Sequence, residues 1–286
     1  MENESRNMLT IDIDKADSIK IVEMMNIEDK KIANAVEKEK NKIAKAIDLI
    51  VDSLNNGGRM FYLGSGTSGK LAIIDASECP PTFGVNDDTV QGIISGGEKA
   101  IVGWLEQTED DKDLAIEDLK KKGIEKKDIL VGVSASGNTP YVLSGIKYAK
   151  KIGLNIIGVS CKEHSKLDEI SDISIAVNVG PEVIMGSTRL KAGTAQKMVL
   201  NMLSTGSMIR IGRVYSNLMI DLKPINKKLQ KRVIEIVSLA TNIESEVSKK
   251  ILEKCEYNPK VAIIMIKENV DLKKAKEILK INKNKI

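Results

Sequence analysis

The stretch RMFYLGSGTSGKLAIIDASECPPTFG, from Arg59 to Gly84, decides the fold. An apolar run, Met60 to Leu63, reads as a strand buried on both sides. The Gly/Ser/Thr loop Gly64-Ser-Gly-Thr-Ser-Gly69 follows it and opens a helix. A helix N-terminus presents unpaired N–H groups and partial positive charge, so this junction suits an anion. The helix is expected to end near Ser77, in the acidic turn Asp75-Ala-Ser-Glu78, because Cys79 and the pair Pro80-Pro81 come next. One segment thus offers an anion cradle at one end of a helix and a carboxylate at the other.

The same grammar repeats along the chain. Val90–Ile94 is a second apolar run, followed by Ser95-Gly-Gly97 and a helix carrying Ile101, Trp104 and Leu105. An amphipathic helix over about Asp113–Lys122 precedes a third strand, Ile129–Val133. That strand is capped by Ser134-Ala-Ser-Gly-Asn-Thr139, with Pro140 at the first turn of the next helix. Ile156–Val159 and Ile173–Val177 are further strands, and Leu190–Ile209 is a helix rich in Ala, Met and Leu on several sides. Apolar strands alternating with helices predict an α/β fold: a doubly wound parallel sheet in three layers, with ligands beyond the carboxyl ends of its strands.

Ahead of this core, residues up to about Met25 read as a polar, irregular arm. Ile32, Val36, Ile43, Ile47, Ile50 and Leu54 then mark one face of a single long helix, capped by Asn26 and stopped by Gly57-Gly58. From Asn226 the strand signal ceases, and lysine-rich helices with stripes such as Val261, Ile264 and Met265 follow. The chain is therefore expected to comprise a domain over 1–223 and a small C-terminal helical subdomain over 224–286, with its boundary near Lys223-Pro224.

Composition narrows the function. The 286 residues carry a net charge of +4 with 3% aromatics, and basic and acidic residues are interspersed. No clustered basic footprint and no stacking platform for nucleic acid is present. No apolar run approaches the roughly 20 residues of a membrane span, and the first residues lack a signal-peptide profile. Three cysteines without a CxxC point to a reducing compartment, and the cytoplasm is the expected location. The single histidine, His164, lies in the polar stretch CKEHSK and reads as a loop residue. Acid–base chemistry therefore falls to carboxylates, lysines or tyrosines, and no cluster of metal ligands is spelled.

The first loop is not a Walker loop, since Leu71 stands where Ser or Thr is required after Gly69-Lys70. The letters Gly64-x-Gly66-x-x-Gly69 fit a dinucleotide fingerprint, but the acidic residue expected about 20 positions on is not evident. Two loops of small hydroxyl residues in one sheet, without Lys or Arg inside either, instead suit a phosphomonoester held by neutral donors.

The SxSGxT pattern at Ser134–Thr139, with the upstream GTS loop, resembles the sugar isomerase (SIS) domain, which binds phosphosugars. The longer words GSGTSGKLAIIDASECPPTFG, SASGNTPYV, STRLKAGTAQKMVLNMLSTG and NLMIDL resemble the N-acetylmuramic acid 6-phosphate etherase family over nearly the whole chain. The resemblance implies cleavage of a D-lactyl ether by elimination and hydration, without a cofactor or metal. It implies Glu78 as proton donor and Glu109, in Glu106-Gln-Thr-Glu-Asp110, as the second acid/base, here assigned to C2. A site beside Cys79-Pro80-Pro81 would leave Glu78 partly desolvated. For phosphate it implies Thr67 and Ser68 from the first loop, and Ser134, Ser136, Asn138 and Thr139 from the second. Ser65, Ser187, Thr188 and Lys191 are weaker candidates, the last three explained equally well by capping. The partner is expected to be a small phosphosugar, neither nucleic acid nor membrane, and the chain is expected to form a homodimer. A sugar-phosphate isomerase and a non-catalytic phosphosugar sensor are the alternatives that the same domain allows.

Overall fold

A computed structural model describes residues 5–103, 108–222, 227–282 and 285–286. The chain divides into two compact units, residues 1–77 with 88–204, and residues 78–87 with 205–286.

The first unit holds five parallel strands: β1 (Met60–Gly64), β2 (Val90–Ile94), β3 (Ile129–Val133), β4 (Asn155–Ser160) and β5 (Ile173–Ala176). Their order is β2-β1-β3-β4-β5, and Gly64 lies in register with both Ile94 and Val133. The order reverses direction beside β1, as a doubly wound sheet requires. Every residue of β1 and β3 is buried, which is why their sequences run apolar rather than alternating.

Successive side chains of β1 go to opposite layers. Phe61 and Leu63 join Leu119 of α6 (Lys112–Lys121) and Tyr141, Val142 and Ile146 of α7 (Pro140–Ile152) in one core. Tyr62 points the other way, its hydroxyl donating to Asp75 (2.7 Å) on α4 (Gly66–Phe83) and lying 3.3 Å from the carbonyl oxygen of Leu200 on α9 (Lys191–Arg210). The short helices α5 (Glu98–Val102) and α8 (Lys166–Ile170) follow β2 and β4.

Three expectations change here. The segment before Met25 is not irregular: α1 (Ser18–Asp29) begins there, capped by Asp17, whose carboxylate accepts from Lys20 N–H at 2.8 Å. Asn26 lies inside α1 and caps nothing. The single long helix is instead α2 (Lys31–Lys38) and α3 (Lys40–Asn55), parted at Glu39, where φ −91° and ψ 2° leave the helical region. Gly57, with φ +73°, does end α3. Nor does α4 stop at the acidic turn; it carries Pro80 and Pro81 and runs to Phe83.

The second unit holds a short hairpin, β6 (Val214–Tyr215) with β7 (Leu218–Met219), and four helices, α10 (Lys227–Thr241), α11 (Ser245–Lys254), α12 (Pro259–Lys267) and α13 (Leu272–Ile281). Val233, Val237, Leu252, Val261, Ile263, Ile264 and Ala275 form its core. Asp221 accepts from Lys260 (2.7 Å) and Arg213 (3.1 Å), tying α12 to the segment that follows α9. The expected boundary at Lys223-Pro224 falls outside the described residues.

Candidate active site

Because β2, β1 and β3 are neighbours in register, the loops that leave their carboxyl ends emerge side by side. The first loop, Gly64–Gly69, closes tightly: Gly69 N–H donates to the Ser65 carbonyl at 3.0 Å. A Cβ on Gly69 would sit 2.5 Å from Ile94 Cγ1 and 2.9 Å from the Gly64 carbonyl oxygen, so only glycine fits. The second loop, Ser134–Thr139, is wound by its own side chains. Gly137 N–H donates to Ser134 Oγ (3.1 Å), and Asn138 N–H donates to Ser136 Oγ (3.2 Å). Gly137 takes φ +64°, and a Cβ there would meet Ser165 Oγ at 2.2 Å.

A third polar loop, Ser95-Gly96-Gly97, leaves β2. Ser95 is 1% exposed, and its hydroxyl lies 2.6 Å from Ser65 Oγ and accepts from Thr108 Oγ1 at 3.2 Å. On the other side of β1, Thr139 Oγ1 donates to Glu109 Oε1 at 3.1 Å and lies 2.8 Å from Ser134 Oγ. The backbone is joined at the same point, with Tyr141 N–H donating to the Glu109 carbonyl at 3.0 Å. The consecutive residues Thr108 and Glu109 thus reach the loops of β2 and β3 respectively. A row of hydroxyls and one carboxylate lines the carboxyl edge of the sheet.

Among the acidic residues around Glu109, geometry separates the roles. Asp111 caps α6, accepting from the N–H groups of Asp113 and Leu114, both at 3.0 Å. Asp110 is exposed. Glu106 lies outside the described residues. Glu109 is the one that meets the second loop.

The second loop has a wall behind it. The segment after β4 and the start of α8 are laced to it by Cys161 N–H to the Ala135 carbonyl (3.0 Å), Leu167 N–H to the Gly137 carbonyl (3.0 Å) and Lys166 N–H to Asn138 Oδ1 (3.5 Å). His164 sits in this segment, exposed and left-handed at φ +57°.

Other candidates stand apart. Thr67 is exposed at the start of α4. Ser68 is 8% exposed, and its hydroxyl donates to Gln196 Oε1 on α9 at 3.0 Å. Gln196 Nε2 is buried and has no hydrogen-bond partner among the described residues. Lys191 is fully buried, with Nζ 2.6 Å from Glu28 Oε2. Neither Ser187 nor Thr188 caps α9; Glu182 does, its carboxylate accepting from the N–H groups of Lys191 (3.0 Å) and Ala192 (2.9 Å).

Glu78 belongs to the second unit. It is exposed, whereas Cys79 beside it is 1% exposed, so the expected desolvation of Glu78 by the Cys-Pro-Pro run is not found. Because α4 continues through both prolines, Glu78 projects from a helix interior rather than from a turn. One turn earlier, Asp75 is buried and accepts from Tyr62 (2.7 Å), Asn201 (2.6 Å) and Ser204 (3.1 Å). A carboxylate so supplied with donors is structural.

Sequence reasoning passed over Ser95 and Gln196. Ser95 had a signal, since a Ser-Gly-Gly word after a strand matches the other two loops. Gln196 had none, because a glutamine on an apolar helix shows its partner only in three dimensions.

Against known proteins, this chain is 52% identical over 285 residues to an N-acetylmuramic acid 6-phosphate etherase from Clostridium beijerinckii, covering 100% of this chain and 93% of that protein. A Clostridium botulinum protein of the same name is 54% identical, covering 99% and 94%. The chain belongs to the N-acetylmuramic acid 6-phosphate etherase family. The etherase from Clostridioides difficile is 49% identical over 96% of this chain. Two family models match this chain: the glucokinase regulatory protein N-terminal SIS domain at residues 42–150 and the SIS domain at 113–206. Solved structures agree on the fold. An Escherichia coli protein aligns with a TM-score of 0.52 and 17% identity, covering 71% of this chain and 97% of its own. A phosphoheptose isomerase from Neisseria gonorrhoeae aligns at 0.51 and 17%, covering 66% and 97%.

Proposed function

We propose that Glu109 and Glu78 divide the acid–base work of the etherase reaction and that the Ser/Thr loops hold the substrate's phosphate. The reaction is cleavage of the D-lactyl ether of N-acetylmuramic acid 6-phosphate with water, giving N-acetylglucosamine 6-phosphate and D-lactate. In the open-chain sugar the C2 hydrogen lies alpha to the aldehyde. Glu109 takes that proton, the C3–O bond breaks, and a C2=C3 double bond forms. Glu78 gives the departing lactate oxygen its proton. Water then adds across the double bond, hydroxide to C3 and a proton to C2, so that atoms balance. An ether oxygen is a poor leaving group, and acid at the oxygen with base at carbon is the pairing it needs.

Phosphate is held by Ser134, Ser136, Asn138 and Thr139 together with Thr67 and Ser68, at the N-termini of α7 and α4. Ser65 and Ser95 extend this row. One observation carries the reading of Glu109: its Oε1 accepts from Thr139, a residue of the second loop, at 3.1 Å. This supports a base placed next to the phosphate cradle.

The protein acts in the cytoplasm and as a homodimer. No helix of the described residues is long and apolar enough to cross a membrane. Met202 and Ile209, 41% and 49% exposed on α9, support a self-association surface. The reading is tested by incubating purified protein with N-acetylmuramic acid 6-phosphate and assaying D-lactate. Release is expected; binding of the sugar phosphate without release rejects it.

A further inference from the structure

The hydrogen bonds around Thr139 have a fixed direction. An ionised carboxylate only accepts, so Thr139 Oγ1–H donates to Glu109 Oε1. A hydroxyl has one proton, so the 2.8 Å contact between Thr139 and Ser134 requires Ser134 Oγ–H to donate to Thr139 Oγ1. Ser134 Oγ in turn accepts from Gly137 N–H at 3.1 Å. The relay therefore runs Gly137, Ser134, Thr139, Glu109, and the hydroxyl protons of Ser134 and Thr139 are both committed toward the carboxylate. Ser134 and Thr139 are 2% and 7% exposed, so bulk water does not readily replace either proton.

A phosphate dianion also only accepts. To bind it, Thr139 must turn its single proton away from Glu109. We propose that Thr139 couples phosphate capture to the freedom of Glu109 to act as a base. While Thr139 donates to it, Glu109 Oε1 has its negative charge stabilised and one lone pair occupied. When phosphate draws the Thr139 proton, that oxygen is released to take the hydrogen from C2. Thr139 is thus a positioning residue for the base as well as a phosphate ligand, and it makes the chemistry depend on a phosphorylated substrate. The inference rests on the roles given above to Glu109 and to the second loop.

The test compares D-lactate release from N-acetylmuramic acid 6-phosphate and from unphosphorylated N-acetylmuramic acid, in the wild type, Thr139→Val and Thr139→Ser. In Thr139→Val the phosphorylated sugar should lose activity, while the unphosphorylated sugar should gain on the order of tenfold in kcat/KM, the worth of one hydrogen bond to a charged group. Thr139→Ser, which keeps the proton, should reverse both effects of Thr139→Val, restoring the preference for the phosphorylated sugar. A loss on both substrates in Thr139→Val, as a merely structural role would give, overturns the coupling. So does an unchanged rate on the unphosphorylated sugar, as for a simple phosphate ligand.

If the valine variant proves unstable, the wild type alone decides. Inorganic phosphite, at concentrations that occupy the loop, should accelerate release from the unphosphorylated sugar; no acceleration contradicts the proposal. Glu109→Gln, measured in parallel for exchange at C2, separates the two levels. Lost exchange there with no gain in Thr139→Val overturns the coupling and leaves the base in place. Intact exchange removes both.

Discussion

Glu28 and Lys191 meet at 2.6 Å with side-chain exposures of 2% and 0%, and Lys31 approaches the other Glu28 oxygen at 2.5 Å. Burial opposes ionisation of Glu28, but hydrogen bonds from Lys191 and Lys31 outweigh it and hold the carboxyl below its ordinary range. A carboxyl lowered in the folded state stabilises fully above its unfolded value of about 4.3, and that contribution is lost as pH falls through the folded value. Urea unfolding at a series of pH values should show the loss setting in below about pH 5. Glu28→Gln should flatten that acid limb and, by leaving Lys191 buried and unpaired, destabilise by roughly 3–5 kcal/mol at neutral pH. At this scale the sequence was only partly legible. Glu109 was preferred among its acidic neighbours; it meets the second loop, whereas Asp111 is spent on capping α6. The fates of Lys191 and Glu78 could not be read, because burial is set by partners distant in sequence: Glu28 lies 163 positions from Lys191.

Elements depend on a few fixing points. Asp75 joins α4 to β1 and α9 through Tyr62, Asn201 and Ser204. Asp75→Ala removes the acceptor that three donors share, and a cost of about 2–4 kcal/mol is expected in the unfolding free energy, with lower D-lactate release as α4 loosens. Gly137→Ala would force a left-handed alanine against Ser165 Oγ. It should lower stability by about 1–3 kcal/mol and raise KM for the sugar phosphate, which thermal melts and initial rates would show. The five strands of the parallel sheet were legible to within a residue because each is a short apolar run between turn signals. Helix limits were less so. Ile32, Val36, Ile43 and Ile50 keep one periodicity across the break at Glu39, so the pattern cannot reveal it. Proline in a helix interior lacks a donor and crowds the preceding turn, yet α4 continues past Pro80. Cys79 and Phe83 are buried there, and Gly84 N–H closes the last turn on the Pro80 carbonyl at 2.9 Å.

Across the molecule, the parallel sheet followed from continuous burial on both faces, and with it the grouping of three polar loops at one edge. The hairpin at Val214–Met219 went unread, since two-residue strands around Ser216 (φ +54°) carry no periodicity. The second unit also takes in Glu78–Asp87, which no composition shift marks. Under the division of labour proposed for Glu78 and Glu109, the two variants fail differently. In deuterated water with N-acetylmuramic acid 6-phosphate, C2 exchange and D-lactate release can be followed together. Glu78→Gln should continue to exchange the C2 hydrogen while releasing lactate at least about a hundredfold more slowly, and Glu109→Gln should do neither. Exchange in Glu109→Gln at the wild-type rate would contradict the account.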